Sequence, residues 1–177
     1  RFSVSPPSQG GVATKEPGWL DQPLKILNLF AYTGGATMVL TRLGHQVTHV
    51  DASKPSIGWA KENQHANKFE DESIRWILDD ALKFCEREVK RGAEYDGIIM
   101  DPPAFGHSPT GKTWKFNREL PRLLELTVQL LSDNAKFLLI NGYATNSSAI
   151  SLGNILEDKL QDRPGKIEFG ELCLEHK

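Results

Sequence analysis

From Leu24 onward, short apolar runs of strand length alternate with segments in which apolar residues recur every three to four positions. That alternation predicts βαβ units around a parallel sheet. Strands are expected at about 25–30, 46–50, 74–78, 96–100, 136–141 and 167–174. Helices fill the intervals. Ala36 to Leu43 ends at Gly44, a natural stop. Ser53 can cap a helix with Pro55 in its first turn, running to about Lys68 with Ile57, Trp59 and Ala60 on or near its inner face. Asp79 and Asp80 open a third, with Leu82, Cys85 and Val89 on one stripe and a stop near Gly92. A longer helix spans about Asn117 to Leu131 despite Pro121, and the last runs from about Ala149 to Leu160 with Ile150, Ile155 and Leu156. Residues 1–23 are rich in Pro, Gly and Ser, show no period, and read as a flexible lead-in with Trp19 as a single anchoring aromatic. Residues 24–177 form one folded domain.

Composition narrows the field. The 177 residues, 39% hydrophobic, can bury one core. Twenty-one basic against 23 acidic residues leave a net charge of −2, which excludes a broad nucleic-acid-gripping face and makes any such contact local or assisted. The two cysteines, Cys85 and Cys173, lie far apart without a CxxC or paired histidines, so neither a disulfide framework nor a metal site is indicated and both read as reduced core thiols. No apolar run reaches the length of a membrane span and no secretory signal opens the chain, so the cytoplasm is the simplest compartment. A chain that starts at Arg1 reads as a fragment or a processed form.

Open parallel sheets bind ligands at the carboxyl ends of their strands, where helix N-termini point. After the first strand comes Asn28-Leu-Phe-Ala-Tyr-Thr33-Gly34-Gly35, a tight turn in which the glycines let backbone approach a ligand. It is neither GxGxxG nor a P-loop, and an ordinary strand-to-helix turn is the alternative. The second strand ends at Asp51, about 20 residues on, where an acidic group accepts from ribose hydroxyls in NAD and methyl-donor sites alike. The third leads into Asp79-Asp80-Ala81: Asp80 can accept from an adenine amine, and either carboxylate can instead cap the helix, Asp79 more readily. The fourth runs into Asp101-Pro102-Pro103-Ala104-Phe105. Two prolines remove two backbone donors and pin the turn, leaving carbonyls to accept from a ligand. Asp101 would face a cofactor and Phe105 could stack on a nucleobase.

The ordered set LNLFAYTGG, THVDAS, LDDALKF and YDGIIMDPPAFG resembles class I S-adenosylmethionine (SAM) dependent methyltransferases, most nearly the ribosomal RNA large-subunit group that modifies cytosine C5 or guanine N7. The likeness covers about residues 24–160. It implies a Rossmann-like α/β fold, with a mostly parallel central sheet, helices on both faces and a final antiparallel strand truncated, SAM as cofactor and RNA as substrate. On this resemblance the cofactor loop falls on Asn28, Phe30, Tyr32, Thr33 and Gly34, the ribose carboxylate on Asp51 with Ala52 and Ser53, the adenine contact on Asp80 with Ala81, and the methionine end on Asp101. The methyl-transfer loop is Asp101, Pro102, Pro103 and Phe105.

Cytosine-C5 members carry a nucleophilic cysteine just past strand 5 or after strand 4. Here those positions read Ile140-Asn141-Gly142-Tyr143 and DPPAF, which points away from covalent C5 attack and toward direct in-line transfer. Asp101 then orients the methionine end or a substrate amine, the Pro102 carbonyl accepts from the target group and Phe105 stacks on a flipped base. Lys112, Lys115, Arg118 and Arg122 against Glu119 form either a local positive surface for phosphates or a solvated helix face. Of the five histidines only His107 falls near this loop. Methylation of a small molecule or protein, and a dinucleotide-dependent reductase or non-catalytic binding module, are the rival readings.

Overall fold

In the computed structural model, residues 22–69, 73–107, 113–143 and 145–171 are described. Five strands make one parallel sheet: β1 (Lys25–Leu29), β2 (Gln46–Asp51), β3 (Ile74–Leu78), β4 (Gly97–Met100) and β7 (Phe137–Ile140), in the order β3-β2-β1-β4-β7. Helices α1 (Gly35–Arg42), α2 (Lys54–Ala66), α3 (Ala81–Lys90), α4 (Phe116–Leu130) and α5 (Ala149–Leu160) accompany them. Between β4 and α4 lies a short antiparallel hairpin, β5 (Phe105–His107) and β6 (Thr113–Lys115), where the sequence pattern gives only a loop. The expected strand at 167–174 does not form over 167–171, which are irregular; residues 172–174, like Trp19 and Cys173, lie outside the described residues. Among the described residues β7 is therefore the sheet's last strand on that side.

The period of two along β1 sorts its side chains between two helical layers. Leu27 and Leu29 join the core cluster built with Leu82, Phe84 and Cys85 of α3 and Leu120, Leu123 and Leu124 of α4. Asn28, on the other face, reaches α1, donating through Nδ2 to Thr37 Oγ1 at 3.0 Å. Residues 26–29 of β1 are all buried, which is why its sequence is an apolar run with one polar exception. Trp59 does not join the inner face of α2: it is 57% exposed, while Ile57 and Ala60 are buried. The amino edge of the sheet is pinned by Asp96, whose carboxylate accepts from the Lys25 amide at 2.9 Å and the Ser132 hydroxyl at 2.9 Å. Nearby, Glu88 is buried and accepts from Arg75, Arg91 and the Tyr95 hydroxyl, the last at 2.7 Å.

One consequence of the strand order positions the site. The chain leaves β1 on one side for β2 and β3, and the later strands add on the other side, so the order reverses between β1 and β4. At such a reversal the loops leaving two neighbouring strands diverge and open a crevice at the carboxyl edge. Those loops are residues 30–34 and 101–104. No helix among the described residues is long and apolar enough to cross a membrane.

Candidate active site

The crevice is a cleft of about 300 Å³, walled by Phe30 and Tyr32 after β1, Val50 to Ser53 at the end of β2, Asp79 to Ala81 after β3, and Asp101, Pro103 and Gly106 after β4, with Trp114 of β6 and Tyr143 beyond β7. The carboxyl ends of all five parallel strands thus contribute to one rim. Phe30 and Tyr32 hold φ of 56° and 48°, a left-handed conformation that costs side-chain-bearing residues about 1–3 kcal/mol each and persists only where surroundings enforce it. The enforcing bond at Tyr32 is its amide, which donates to Asp51 Oδ2 at 2.8 Å; Asp51 Oδ1 accepts from the Ser53 amide at 2.8 Å. Each oxygen keeps a second lone pair for a further donor.

Gly34, at φ 84°, turns the chain into α1, and a Cβ there would stand 3.2 Å from Ala60 Cβ and 3.3 Å from Met38 Cε. Helix α1 has no side-chain cap and no acid in its first turn, so its opening amides have no side-chain acceptor of their own. Beneath the turn, Thr37 Oγ1 bridges Asn28 and His49 Nδ1, the latter at 2.9 Å, and burial pushes the His49 imidazole down to about 4, keeping the relay neutral. Asn28, Thr33 and Gly34 are not part of the cleft wall: Asn28 is buried in this relay, and the Thr33 carbonyl accepts from Asn63 Nδ2 at 2.9 Å. They shape the loop from behind.

At β3 it is Asp80, rather than the expected Asp79, that caps the helix. Asp80 is the N-cap of α3, accepting from the Lys83 amide at 3.1 Å, whereas Asp79 accepts from the Asp80 amide and pairs with Arg87. Asp80 has the extended backbone (ψ 132°) that a cap requires. Capping occupies Oδ1 and leaves further acceptor capacity on a carboxylate that lines the cleft.

At β4, Asp101 Oδ1 accepts from Asn141 Nδ2 at 3.1 Å, a bond between the ends of adjacent strands. Partial burial raises the Asp101 carboxyl above its ordinary value, and the Asn141 bond pulls against that rise. The prolines do not leave every carbonyl free. Pro103 O accepts from Trp114 Nε1 at 2.7 Å and Ala104 O from the Phe116 amide at 3.1 Å, so among the described residues the open carbonyls of this turn are those of Asp101 and Pro102. Pro102 and Phe105 are not in the cleft wall; Pro102 is buried beside it and Phe105 is 54% exposed on the hairpin.

Trp114, Tyr143 and Asn141 are site residues that periodicity could not single out. Tyr143 and Asn141 had a signal, since they follow the fifth parallel strand at the ligand edge. Trp114 had none. Cys85 is fully buried in α3 and burial pushes its thiol far up, so it supplies no nucleophile. Of the cations that could form a positive surface, Arg122 pairs with Glu125 and Glu86, and Arg118 lies 3.6 Å from Glu119. Lys112 and the side chain of His107 lie outside what is described.

Comparison with known proteins adds the family. A sequence model of the S-adenosylmethionine-dependent methyltransferases matches residues 20–170. The chain is 32% identical over 120 residues to a Ribosomal RNA large subunit methyltransferase K/L of Shewanella sp. (strain MR-4), covering 66% of this chain and 17% of that protein. It is 37% identical over 119 residues to the protein of the same name in Pseudoalteromonas atlantica, covering 66% and 16%. The crystal structure of a SAM-dependent methyltransferase from Agrobacterium tumefaciens superimposes with a TM-score of 0.77 at 45% identity, over 79% of this chain and 45% of that one. The chain thus spans about a sixth of the length of the curated relatives it matches.

The cleft fits the family's cofactor on its own terms. Four carboxylates, Asp51, Asp79, Asp80 and Asp101, line a space that would hold a sulfonium cation, and uncapped α1 amides suit a carboxylate. With the family match extending over residues 20–170 and the crevice at the expected edge, the chain belongs to the S-adenosylmethionine-dependent methyltransferases.

Proposed function

We propose that this chain carries the cofactor-binding and methyl-transfer core of an RNA base methyltransferase, with ribosomal RNA as substrate, and that transfer is direct. The observation that carries the reading is the Asp101–Asn141 pair on the rim between β4 and β7, beside the open Pro102 carbonyl. Acceptors converge where a base amine would enter. The curated relatives are named for large-subunit ribosomal RNA, which favours this substrate over a metabolite or protein, and a ribosomal substrate goes with a cytoplasmic location.

When bound, SAM would supply an electrophilic methyl group to a lone pair on the target amine. Protein residues do the rest by holding the partners in line. Asp51 accepts the ribose hydroxyls on its remaining lone pairs, and Asp80 with Ala81 meets the adenine. The α1 amides take the methionine carboxylate. Asp101 and the Pro102 carbonyl accept hydrogen bonds from the target group and fix its lone pair toward the methyl carbon, while Phe105, on the hairpin, stacks on the base. Direct transfer is favoured because Cys85 is buried within the core, so no described cysteine can attack a ring carbon.

The test is labelled-methyl transfer by the full-length protein to bulk ribosomal RNA from cells lacking it, beside a protein and metabolite panel. Label confined to the RNA, abolished in Asp101→Ala with binding of the demethylated product S-adenosylhomocysteine (SAH) retained, is the expected result. Label on a protein or metabolite alone would refute the substrate, and full activity of Asp101→Ala would refute the role of that carboxylate.

A further inference from the structure

We propose that Trp114 is a positioning residue: its indole latches the methyl-transfer loop to the cofactor loop and sets the spacing between them. The proposal rests on the methyl-transfer reading of residues 101–105. Prolines 102 and 103 have no amide hydrogens, so between the Asp101 amide, which donates to Leu29 O at 3.4 Å, and the start of the hairpin, these two residues can be tied only by donors brought to their carbonyls. Trp114 brings one. Its Nε1–H, a donor only, meets Pro103 O at 2.7 Å, and with the residue 8% exposed that bond has little competition from water.

The same ring packs against Phe30, with centroids 5.0 Å apart and planes tilted by 58°, in the range of favourable aromatic pairs. Phe30 is one of the two non-glycine residues held at positive φ in the cofactor loop. One side chain therefore touches both loops that flank the crevice between β1 and β4, and lines the cleft between them. The hairpin explains how it gets there. In the β5–β6 register Trp114 stands opposite Gly106, which presents no side chain, and the next turn is tied back by the Phe116 amide on Ala104 O. A chain segment with no apolar period thus has a definite job. It delivers an indole from the far side of the methyl-transfer loop, and by occupying the Pro103 carbonyl it leaves Pro102 and Asp101 as the acceptors for the target group.

The conservative variant Trp114→Phe keeps a ring against Phe30 and removes the N–H. Its turnover number, counted per SAH-binding site, should fall on the order of tenfold or more, because small misplacements of reacting groups are costly. Its SAH dissociation constant should stay within about threefold of wild type, since lost cofactor binding would show as a proportional change in affinity. A side chain that served only stability would lower the fraction of folded sites and leave turnover per site unchanged, and that result overturns the proposal. Trp114→Ala, which also removes the ring from Phe30, should lose SAH affinity as well.

A second measurement needs neither a variant nor an acceptor. Indole N–H exchange in the wild-type protein should be slow at Trp114 and fast at Trp59, which is 57% exposed; equal rates overturn the latch. If the wild type methylates no ribosomal RNA, the substrate reading fails, while indole exchange still decides the latch.

Discussion

Asp51→Asn separates the loop bonds this side chain makes from the ribose contact proposed for it. In the wild type each carboxylate oxygen holds one backbone amide, Tyr32 at 2.8 Å and Ser53 at 2.8 Å, and has one lone pair left for a ribose hydroxyl. A carboxamide offers one oxygen only. Whichever way the substituted side chain turns, its NH₂ group faces either the Tyr32 or the Ser53 amide, donor against donor, and one hydroxyl loses its acceptor together with the charge. Hydrogen bonds to charged groups contribute about 1.5–3 kcal/mol, so SAH affinity should weaken by roughly 10- to 150-fold. The lost loop bond should cost about 1 kcal/mol more, a fall in melting temperature of about 2–4 °C for a chain of this size. Calorimetric titration of SAH into both proteins, with thermal unfolding of each, reads the two effects separately. An SAH dissociation constant within about threefold of wild type, in a folded variant, would refute the assignment of Asp51.

Three further outcomes are expected. In Asn141→Ala the donor that favours ionised Asp101 is gone while its partial burial remains, so the carboxyl rises further and the acidic limb of the kcat/KM profile moves to higher pH; an unchanged limb would disconnect the pair from catalysis. Glu88 is pushed up by burial, but its hydrogen bonds from Arg75, Tyr95 and Arg91 prevail and hold it below the usual carboxylate value. Its stabilising contribution is therefore present at neutral pH and fades as pH falls through that lowered value. Glu88→Gln should lose about 2 kcal/mol at pH 7 by urea unfolding and show a shallower acid-side decline; parallel pH curves would contradict this. Gly34→Ala should destabilise by about 1–3 kcal/mol, since φ is 84° and the new methyl meets Ala60 and Met38. A Gly→Ala change at an unstrained site would stabilise instead, so the sign alone, read by the same urea unfolding, tests the conformation.

The parallel strands and five helices were legible because each is written in a local period, and their ends fall within a few residues of expectation. Asp51, Asp80 and Asp101 were legible for a related reason: once a strand is placed, the residue after it lies at the carboxyl edge. The failures are of another kind. Trp59 sits near the inner face by spacing, yet it is exposed. Which of Asp79 and Asp80 caps α3 turned on one residue's ψ and on Arg87, a side chain two turns away.

Sequence by itself therefore determined the layered α/β order, the edge at which the cleft opens and the acids presented there, since hydrophobic period and strand ends are properties of neighbouring residues. Only the tertiary structure decided that Asn28 faces α1 rather than the cleft, that Arg122 is neutralised by Glu86 and Glu125, that Asn141 holds Asp101, and that Trp114 takes the Pro103 carbonyl. Asn141 and Asp101 stand 40 positions apart, and Trp114 and Pro103 stand 11 apart across a hairpin with no periodic signal. Such pairings are set when strand order and loop packing bring distant segments together, and no local pattern encodes them.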